Sequence, residues 1–130
     1  MNNSAEKVRQ GKKILIIEDE NELCDLIGLR LERSGFEVIA ANDGVEGLNK
    51  ARLEKPDLII LDLMLPKMHG EDVCKEVRKD VRLSKIPIIM LTAKCTDADK
   101  VIGAVIGANV YIAKPFEGAK LMQAINKLLR

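Results

Sequence analysis

The sequence contains no tryptophan and few aromatic residues of any kind. Phe36, Phe116 and Tyr111 are too few to build the stacking platforms that bind single-stranded nucleic acid. The formal net charge of +1 also lacks the excess of basic residues that would attract nucleic acid or an anionic membrane surface. We therefore expect neither direct nucleic-acid binding nor membrane association from this chain.

Long apolar runs and glycine-rich loops are also missing. No run approaches the roughly 20 apolar residues that cross a bilayer, and the first residues, 1–4, are too polar for a signal peptide. Without a glycine-rich phosphate loop, nucleotide binding is not indicated. Cys24, Cys74 and Cys95 are odd in number and far apart, which fits neither a disulfide framework nor a zinc site. We expect reduced, partly buried thiols in a cytoplasmic protein.

What the chain does contain is a regular alternation of apolar segments. Its 130 residues suit one domain, preceded by a polar, flexible arm over residues 1–11. Predicted strands cover residues 14–17, 36–41, 58–61, 88–91 and 110–112, and predicted helices cover residues 22–33, 45–53, 70–79, 97–106 and 117–129. This alternation predicts an α/β domain over residues 12–130, with a doubly wound parallel sheet covered by helices on both faces.

Polar side chains stand where four of the predicted strands end. Glu18 and Asp19 follow the first strand, Asp62 follows the third, Thr92 follows the fourth and Lys114 follows the fifth. The carboxyl ends of parallel strands meet at one edge of the sheet, which is where open α/β sheets build their sites. We therefore expect these five side chains to lie close together.

The chemistry of this set points to phosphoryl groups. Three clustered carboxylates repel one another unless a proton or a cation lies among them, and oxygen ligands favour a hard cation such as Mg²⁺. Lys114 could meet a phosphate and Thr92 could donate to one of its oxygens. Taken singly, each residue has a simpler explanation: an acidic helix start, a turn hydroxyl or a solvated lysine. Such a coincidence at four strand ends is a poorer explanation than one site.

Four segments at these strand ends carry a resemblance to a known family. They are residues 16–20 (IIEDE), 61–66 (LDLMLP), 91–93 (LTA) and 111–116 (YIAKPF). In this order and spacing they resemble a response-regulator receiver domain of two-component signalling over about residues 12–130. The resemblance implies a flavodoxin-like (βα)5 sandwich with strand order 2-1-3-4-5.

The resemblance also implies a role for each residue of the set. Asp62 would be the phosphoacceptor, and Thr92 and Lys114 would contact the phosphoryl group. Mg²⁺, or Mn²⁺ in its place, would be held by Asp19, by Asp62, by the backbone carbonyl of Met64 and, through water, by Glu18. Thr92 and Tyr111 would move together in the switch, and the peptide bond before Pro115 would be cis.

The implied partners follow from those roles. A sensor histidine kinase or a histidine phosphotransfer protein would supply the phosphoryl group. A downstream output domain or target protein would read the surface formed by the fourth helix, fifth strand and fifth helix, which could also form a homodimer. The domain would assist its own phosphorylation and dephosphorylation without being an enzyme that acts on other molecules.

Some positions depart from the family pattern. Glu18 and His69 stand where Asp is common, and we expect His69 to be a solvent-facing loop residue. Asn109 and Val110 replace a frequent Asp-Asp pair, which indicates either drift at a surface turn or an altered partner surface.

The fourth predicted helix has more apolar residues than one buried face requires, namely Val101, Ile102, Val105 and Ile106. A helix on a sheet buries one stripe, so we expect the excess to form part of a dimer or partner contact.

Two other functions remain open at this point. A phosphohydrolase with an aspartate nucleophile usually carries a second Asp two residues later, where this chain has Met64. A receiver-like scaffold that accepts no phosphate usually loses the acceptor, the acidic pair or the lysine, all of which are present here.

Overall fold

Five parallel strands form the centre of the structure, in the order β2-β1-β3-β4-β5. The computed structural model describes residues 11–93 and 96–130. The strands are β1 (Lys13–Ile17), β2 (Glu37–Ala41), β3 (Leu58–Leu61), β4 (Ile88–Thr92) and β5 (Val110–Ala113). The helices are α1 (Asn21–Arg33), α2 (Gly44–Glu54), α3 (Gly70–Lys79), α4 (Asp97–Ile106) and α5 (Gly118–Leu128). The predicted doubly wound fold and its strand order are confirmed.

The central strands are almost entirely apolar, as expected for strands whose two faces are both covered. In β1, the side chains of residues 14–17 have no exposed surface. Ile17 pairs with Ala41 of β2 on one side and with Leu61 of β3 on the other. Continuous Ile and Leu runs are typical of parallel strands that are buried on both faces.

Alternate strand residues build two separate cores. Leu15, Ile17, Ile59 and Leu61 pack on one face with residues of α2 and α3. Ile14, Ile16, Ile60, Leu91 and Ile112 pack on the other face with residues of α1 and α5. The period of two along each strand therefore decides which helices cover each face.

The helix boundaries follow local signals in the sequence. Asp43 caps α2, because its Oδ1 accepts a hydrogen bond of 2.8 Å from the amide of Glu46. Gly35 after α1 and Gly107 after α4 have φ angles of 96° and 110°, a left-handed conformation that glycine adopts without strain.

Asn109 has a structural role that neither sequence interpretation anticipated. Its side-chain oxygen accepts hydrogen bonds from the amide of Ile88 at 2.8 Å and from Arg78 at 2.9 Å. Arg78 also donates to the backbone oxygens of Gly107, Ser84 and Ile86. Asn109 and Arg78 thus join α3 to the start of β4 and to the turn between α4 and β5.

The thiols differ from expectation in the degree of burial. Cys74 is fully buried and Cys24 is only 4% exposed, so both are more buried than expected, and burial raises the pKa of both thiols. Cys95 and residues 1–10 of the expected N-terminal arm lie outside the described residues. Among the described residues, no helix has the length and apolar character needed to cross a bilayer.

Candidate functional site

Four strand ends converge at the carboxyl edge of the sheet and carry the predicted residues there. Backbone hydrogen bonds continue the strand pairing just beyond the strands themselves. The amide of Asp62 donates to Ile17 at 3.1 Å, and the amide of Lys114 donates to Thr92 at 2.9 Å. These bonds hold the residues that follow β3 and β5 beside the ends of β1 and β4.

Three carboxylates meet at this edge as expected. Glu18, Asp19 and Asp62 each place a carboxylate oxygen within 4.8 Å of the others. Glu18 and Asp62 are only 2% and 6% exposed, whereas Asp19 is exposed. A set of oxygen ligands with one solvent-facing member suits a hard divalent cation that retains water, so these residues fit a Mg²⁺ site.

The ammonium group of Lys114 lies among the carboxylates. Its Nζ is 2.7 Å from Oε1 of Glu18 and 2.8 Å from Oδ2 of Asp62. Glu20 approaches the same nitrogen at 3.5 Å. Lys114 thereby compensates part of the negative charge that the strand ends bring together.

Burial and pairing act in opposite directions on these groups. Burial works against the charge on Lys114, but its hydrogen bonds to Asp62 and Glu18 outweigh that effect and raise its pKa above the ordinary lysine value. Burial raises the pKa of Glu18, and the hydrogen bond from Lys114 only partly opposes the rise. Lys114 therefore remains a cation at neutral pH.

Both carboxylate oxygens of Asp62 are held in place. Oδ2 accepts from Lys114, and Oδ1 accepts a hydrogen bond of 3.1 Å from the backbone amide of Met64. Thr92 is fully buried at the end of β4, beside the strand that leads to Lys114. The predicted pocket residues therefore all lie at this edge. The carboxylate of Asp62 is oriented by Lys114 on one oxygen and by the amide of Met64 on the other.

Comparison with known proteins identifies the family to which this pocket belongs. A family model described as the response regulator receiver domain matches residues 14–126. The chain belongs to the response regulator receiver domain family. It is a receiver domain of two-component response regulators, and such domains are signalling switches in signal transduction.

Curated relatives are longer than this receiver domain. The chain is 48% identical over 119 residues to the alkaline phosphatase synthesis transcriptional regulatory protein PhoP of Bacillus subtilis, covering 92% of this chain and 49% of the relative. It is 43% identical to the DNA-binding dual master transcriptional regulator RpaA of Synechocystis, covering 91% and 49%. The chain therefore spans about half the length of these relatives.

Solved structures show the same fold over nearly the whole chain. A putative response regulator from Chloroflexus aurantiacus has a TM-score of 0.87 and 35% identity, covering 92% of this receiver domain and 98% of that chain. The chemotaxis protein CheY4 of Vibrio cholerae has a TM-score of 0.86 and 31% identity, covering 91% and 98%.

Tyr111 lies outside the carboxylate pocket, on the side of β5 that faces α4. Its ring packs directly on Gly103 of α4, where an added Cβ would lie 2.5 Å from a ring carbon. In the sequence alone, Gly103 is simply a glycine inside a predicted helix, where glycine is a poor helix former. The structure shows that the missing side chain is what allows the ring to approach the helix.

Gly70 plays a similar part beside Asp62 and was also not predicted. It begins α3, and an added Cβ would lie 2.2 Å from the backbone oxygen of Asp62. The amide of Gly70 donates to the oxygen of Leu63 at 2.9 Å. The start of α3 therefore packs against the backbone of Asp62 at a distance that only glycine permits.

Other predicted positions are placed as follows. The peptide bond between Lys114 and Pro115 is cis. His69 is exposed at the start of α3, as expected.

Leu26, which shares the apolar spacing of α1, is 65% exposed and lines a groove of about 900 Å³ between α1 and the start of α5. Glu20 and Lys114 lie at the edge of the same groove.

Proposed function

We propose that this receiver domain accepts a phosphoryl group on Asp62 in a Mg²⁺-dependent reaction. The donor would be a phosphohistidine of a sensor histidine kinase or of a histidine phosphotransfer protein, in the cytoplasm. The observation that carries the proposal is the state of Asp62: a buried carboxylate, held by Lys114 and the amide of Met64, beside Glu18 and Asp19.

Asp62, Lys114 and Thr92 would have separate roles in the transfer. A carboxylate oxygen of Asp62 attacks phosphorus, the bond from phosphorus to the histidine nitrogen breaks, and that nitrogen keeps the electron pair. Lys114, cationic at neutral pH, neutralises phosphoryl oxygens, and the hydroxyl of Thr92 donates to one of them. Hydrolysis by water later restores Asp62 and releases phosphate.

A divalent cation would supply the remaining positive charge. Asp19, Asp62 and the backbone carbonyl of Met64 would bind it directly, and Glu18 would bind it through water. Mg²⁺, or Mn²⁺ in its place, would stabilise negative charge on the phosphoryl oxygens during transfer.

The signal would pass from the pocket to a binding surface. A phosphoryl group on Asp62 draws Thr92 and Lys114 towards it, and Tyr111 changes position against Gly103. This shift biases the surface of α4, β5 and α5 between two states, which a downstream output domain or target protein can distinguish. Val101, Ile102 and Val105 are exposed on α4, so the same surface could form a homodimer.

Loss of the acceptor is the decisive test. Asp62→Asn should abolish the acid-labile phosphate that forms when the purified domain is incubated with acetyl phosphate and Mg²⁺. Asp72→Asn, a change at an exposed carboxylate of α3, is the matched control and should retain incorporation. Equal incorporation by wild type and Asp62→Asn would refute the assignment.

The chain also provides its own optical reporter. Tyr111 is the only tyrosine, and there is no tryptophan, so intrinsic fluorescence reports on that single ring. Beryllofluoride, a phosphoryl analogue, should change this fluorescence in the presence of Mg²⁺ and should have no effect on Asp62→Asn. Absence of any response in the wild type would favour a scaffold that accepts no phosphate.

A further inference from the structure

Among the described residues, the ammonium group of Lys114 has three carboxylate partners, of which the proposed reaction uses only two. Lys114 contacts the buried Glu18 and Asp62 at 2.7 and 2.8 Å. The third partner, Glu20, is 3.5 Å from the same nitrogen, and its side chain is 66% exposed at the mouth of the pocket. Glu20 therefore offers Lys114 a second, solvent-exposed carboxylate besides the buried Glu18 and Asp62.

The local backbone shows that this contact replaces a more ordinary use of the position. Glu20 is the N-terminal capping residue of α1, but its side chain makes no capping hydrogen bond. Capping positions favour short side chains such as Ser, Thr, Asp and Asn, which accept from the amides of the first turn. The longer side chain of Glu20 instead reaches Lys114, while its own amide donates to Oε2 of Glu18 at 3.2 Å.

We propose that Glu20 is a positioning residue that competes with the phosphoryl group for Lys114. A phosphoryl group on Asp62 needs the ammonium group close to its oxygens. Each contact that Lys114 keeps with Glu20 opposes that movement, so Glu20 lowers the affinity of the pocket for a phosphoryl group. This inference rests on the proposed function of Asp62.

Two substitutions at Glu20 separate direct contact from the general effect of a nearby negative charge. Glu20→Gln removes the charge at constant length. Glu20→Asp keeps the charge but shortens the side chain, so that it no longer reaches Lys114. If contact matters, both variants should bind beryllofluoride more tightly than the wild type. The expected gain is about two- to fivefold, the range that an exposed ion pair supports.

The measurement is a beryllofluoride titration at fixed Mg²⁺, followed by the fluorescence of Tyr111. Glu22→Gln is the matched control, since it removes an exposed carboxylate of the first turn of α1. This control should bind beryllofluoride like the wild type. Circular dichroism checks that the variants fold, which we expect because the side chain of Glu20 is mostly exposed.

The outcomes distinguish this inference from the function on which it rests. If Glu20→Asp binds like the wild type, or if Glu20→Gln binds no more tightly than Glu22→Gln, the competition for Lys114 is refuted while the role of Asp62 stands. If the wild type itself binds no beryllofluoride with Mg²⁺, the proposed function fails and this inference fails with it. Tighter binding by both Glu20 variants supports it.

Discussion

The carboxylate pocket and the face between α4 and β5 are neighbours on the sheet, but they are built from different interactions. In the pocket, oppositely charged groups approach to 2.7 and 2.8 Å with little exposure to solvent. On the α4–β5 face, the main contact is an aromatic ring on a glycine, and the outer surface of α4 is apolar. Ion pairs position the side chains of the pocket, whereas close packing against Tyr111 positions α4.

This difference has an energetic consequence. Removing a partner in the pocket leaves a buried charge without compensation, which is costly. Changing a residue on the α4–β5 face alters packing or hydrogen bonds, at a smaller cost that depends on how far the neighbours can adjust. Four substitutions test this contrast, from the largest expected effect to the smallest.

Lys114→Met should cause the greatest loss of stability, about 3 kcal/mol at pH 7 in the absence of divalent cations, because it leaves buried carboxylates unpaired. This loss of stability relative to the wild type should become smaller as the pH falls, because the raised pKa of Glu18 lets this carboxyl take up a proton at a higher pH than an ordinary glutamate. Urea unfolding at several pH values measures the free energy of unfolding of both proteins. Lys120→Met, at an exposed position of α5, is the control. A loss of stability in Lys114→Met that does not depend on pH would contradict the explanation.

Asn109→Ala should cost about 1 to 2 kcal/mol, because the amide of Ile88 and the side chain of Arg78 both lose an acceptor. Asn109→Asp keeps the acceptor and adds an attraction to Arg78, so its stability should equal or exceed that of the wild type. Denaturant unfolding compares the two variants. Equal destabilisation by both would show that the hydrogen bonds are not what joins α3 to the α4–β5 turn.

Gly103→Ala should destabilise the domain by about 1 kcal/mol. Crowding against the ring of Tyr111 costs about 1 to 3 kcal/mol, and the better helix propensity of alanine returns about 1 kcal/mol. In a Tyr111→Ala background the crowding disappears, so the same change should be stabilising. A double-mutant cycle measured by thermal unfolding tests this, and additive effects would rule out direct contact as the cause.

Val105→Glu should have the smallest effect on stability, within about 0.5 kcal/mol, because its side chain is 81% exposed. It should leave phosphorylation intact and weaken any self-association through α4. Analytical ultracentrifugation of the beryllofluoride-bound domain measures the association. Val81→Glu, at another exposed valine, is the control. If Val105→Glu associates as strongly as the wild type, α4 is not part of the interface.

Much of this architecture could be predicted because it depends on local patterns. The Ile and Leu runs of β1 and β3 can be buried only if helices cover both faces of the sheet, so alternation alone predicted the fold class. The pocket residues follow directly from strand ends, which parallel strands bring to one edge. For that reason Glu18, Asp62, Thr92 and Lys114 were all expected where the structure places them.

The missed features depend on contacts between different elements of the fold. Gly103 and Gly70 look like weak helix positions in the sequence, because the groups that approach them, the ring of Tyr111 and the backbone of Asp62, come from other elements. Asn109 looks like drift until Arg78, 31 residues earlier, is seen to bind it. Leu26 has the spacing of a core residue, yet it is 65% exposed and lines the groove between α1 and α5.

The sequence by itself determined which residues are available for chemistry, because strand ends and hydrophobic periods are local properties. It therefore determined the fold class and the family, and the comparisons confirmed both. Only the tertiary structure decided how the charges are shared, since the contacts of Lys114 with Glu18, Glu20 and Asp62 depend on side-chain reach across strand ends. It likewise decided that Tyr111 packs on Gly103, a contact that no local pattern encodes.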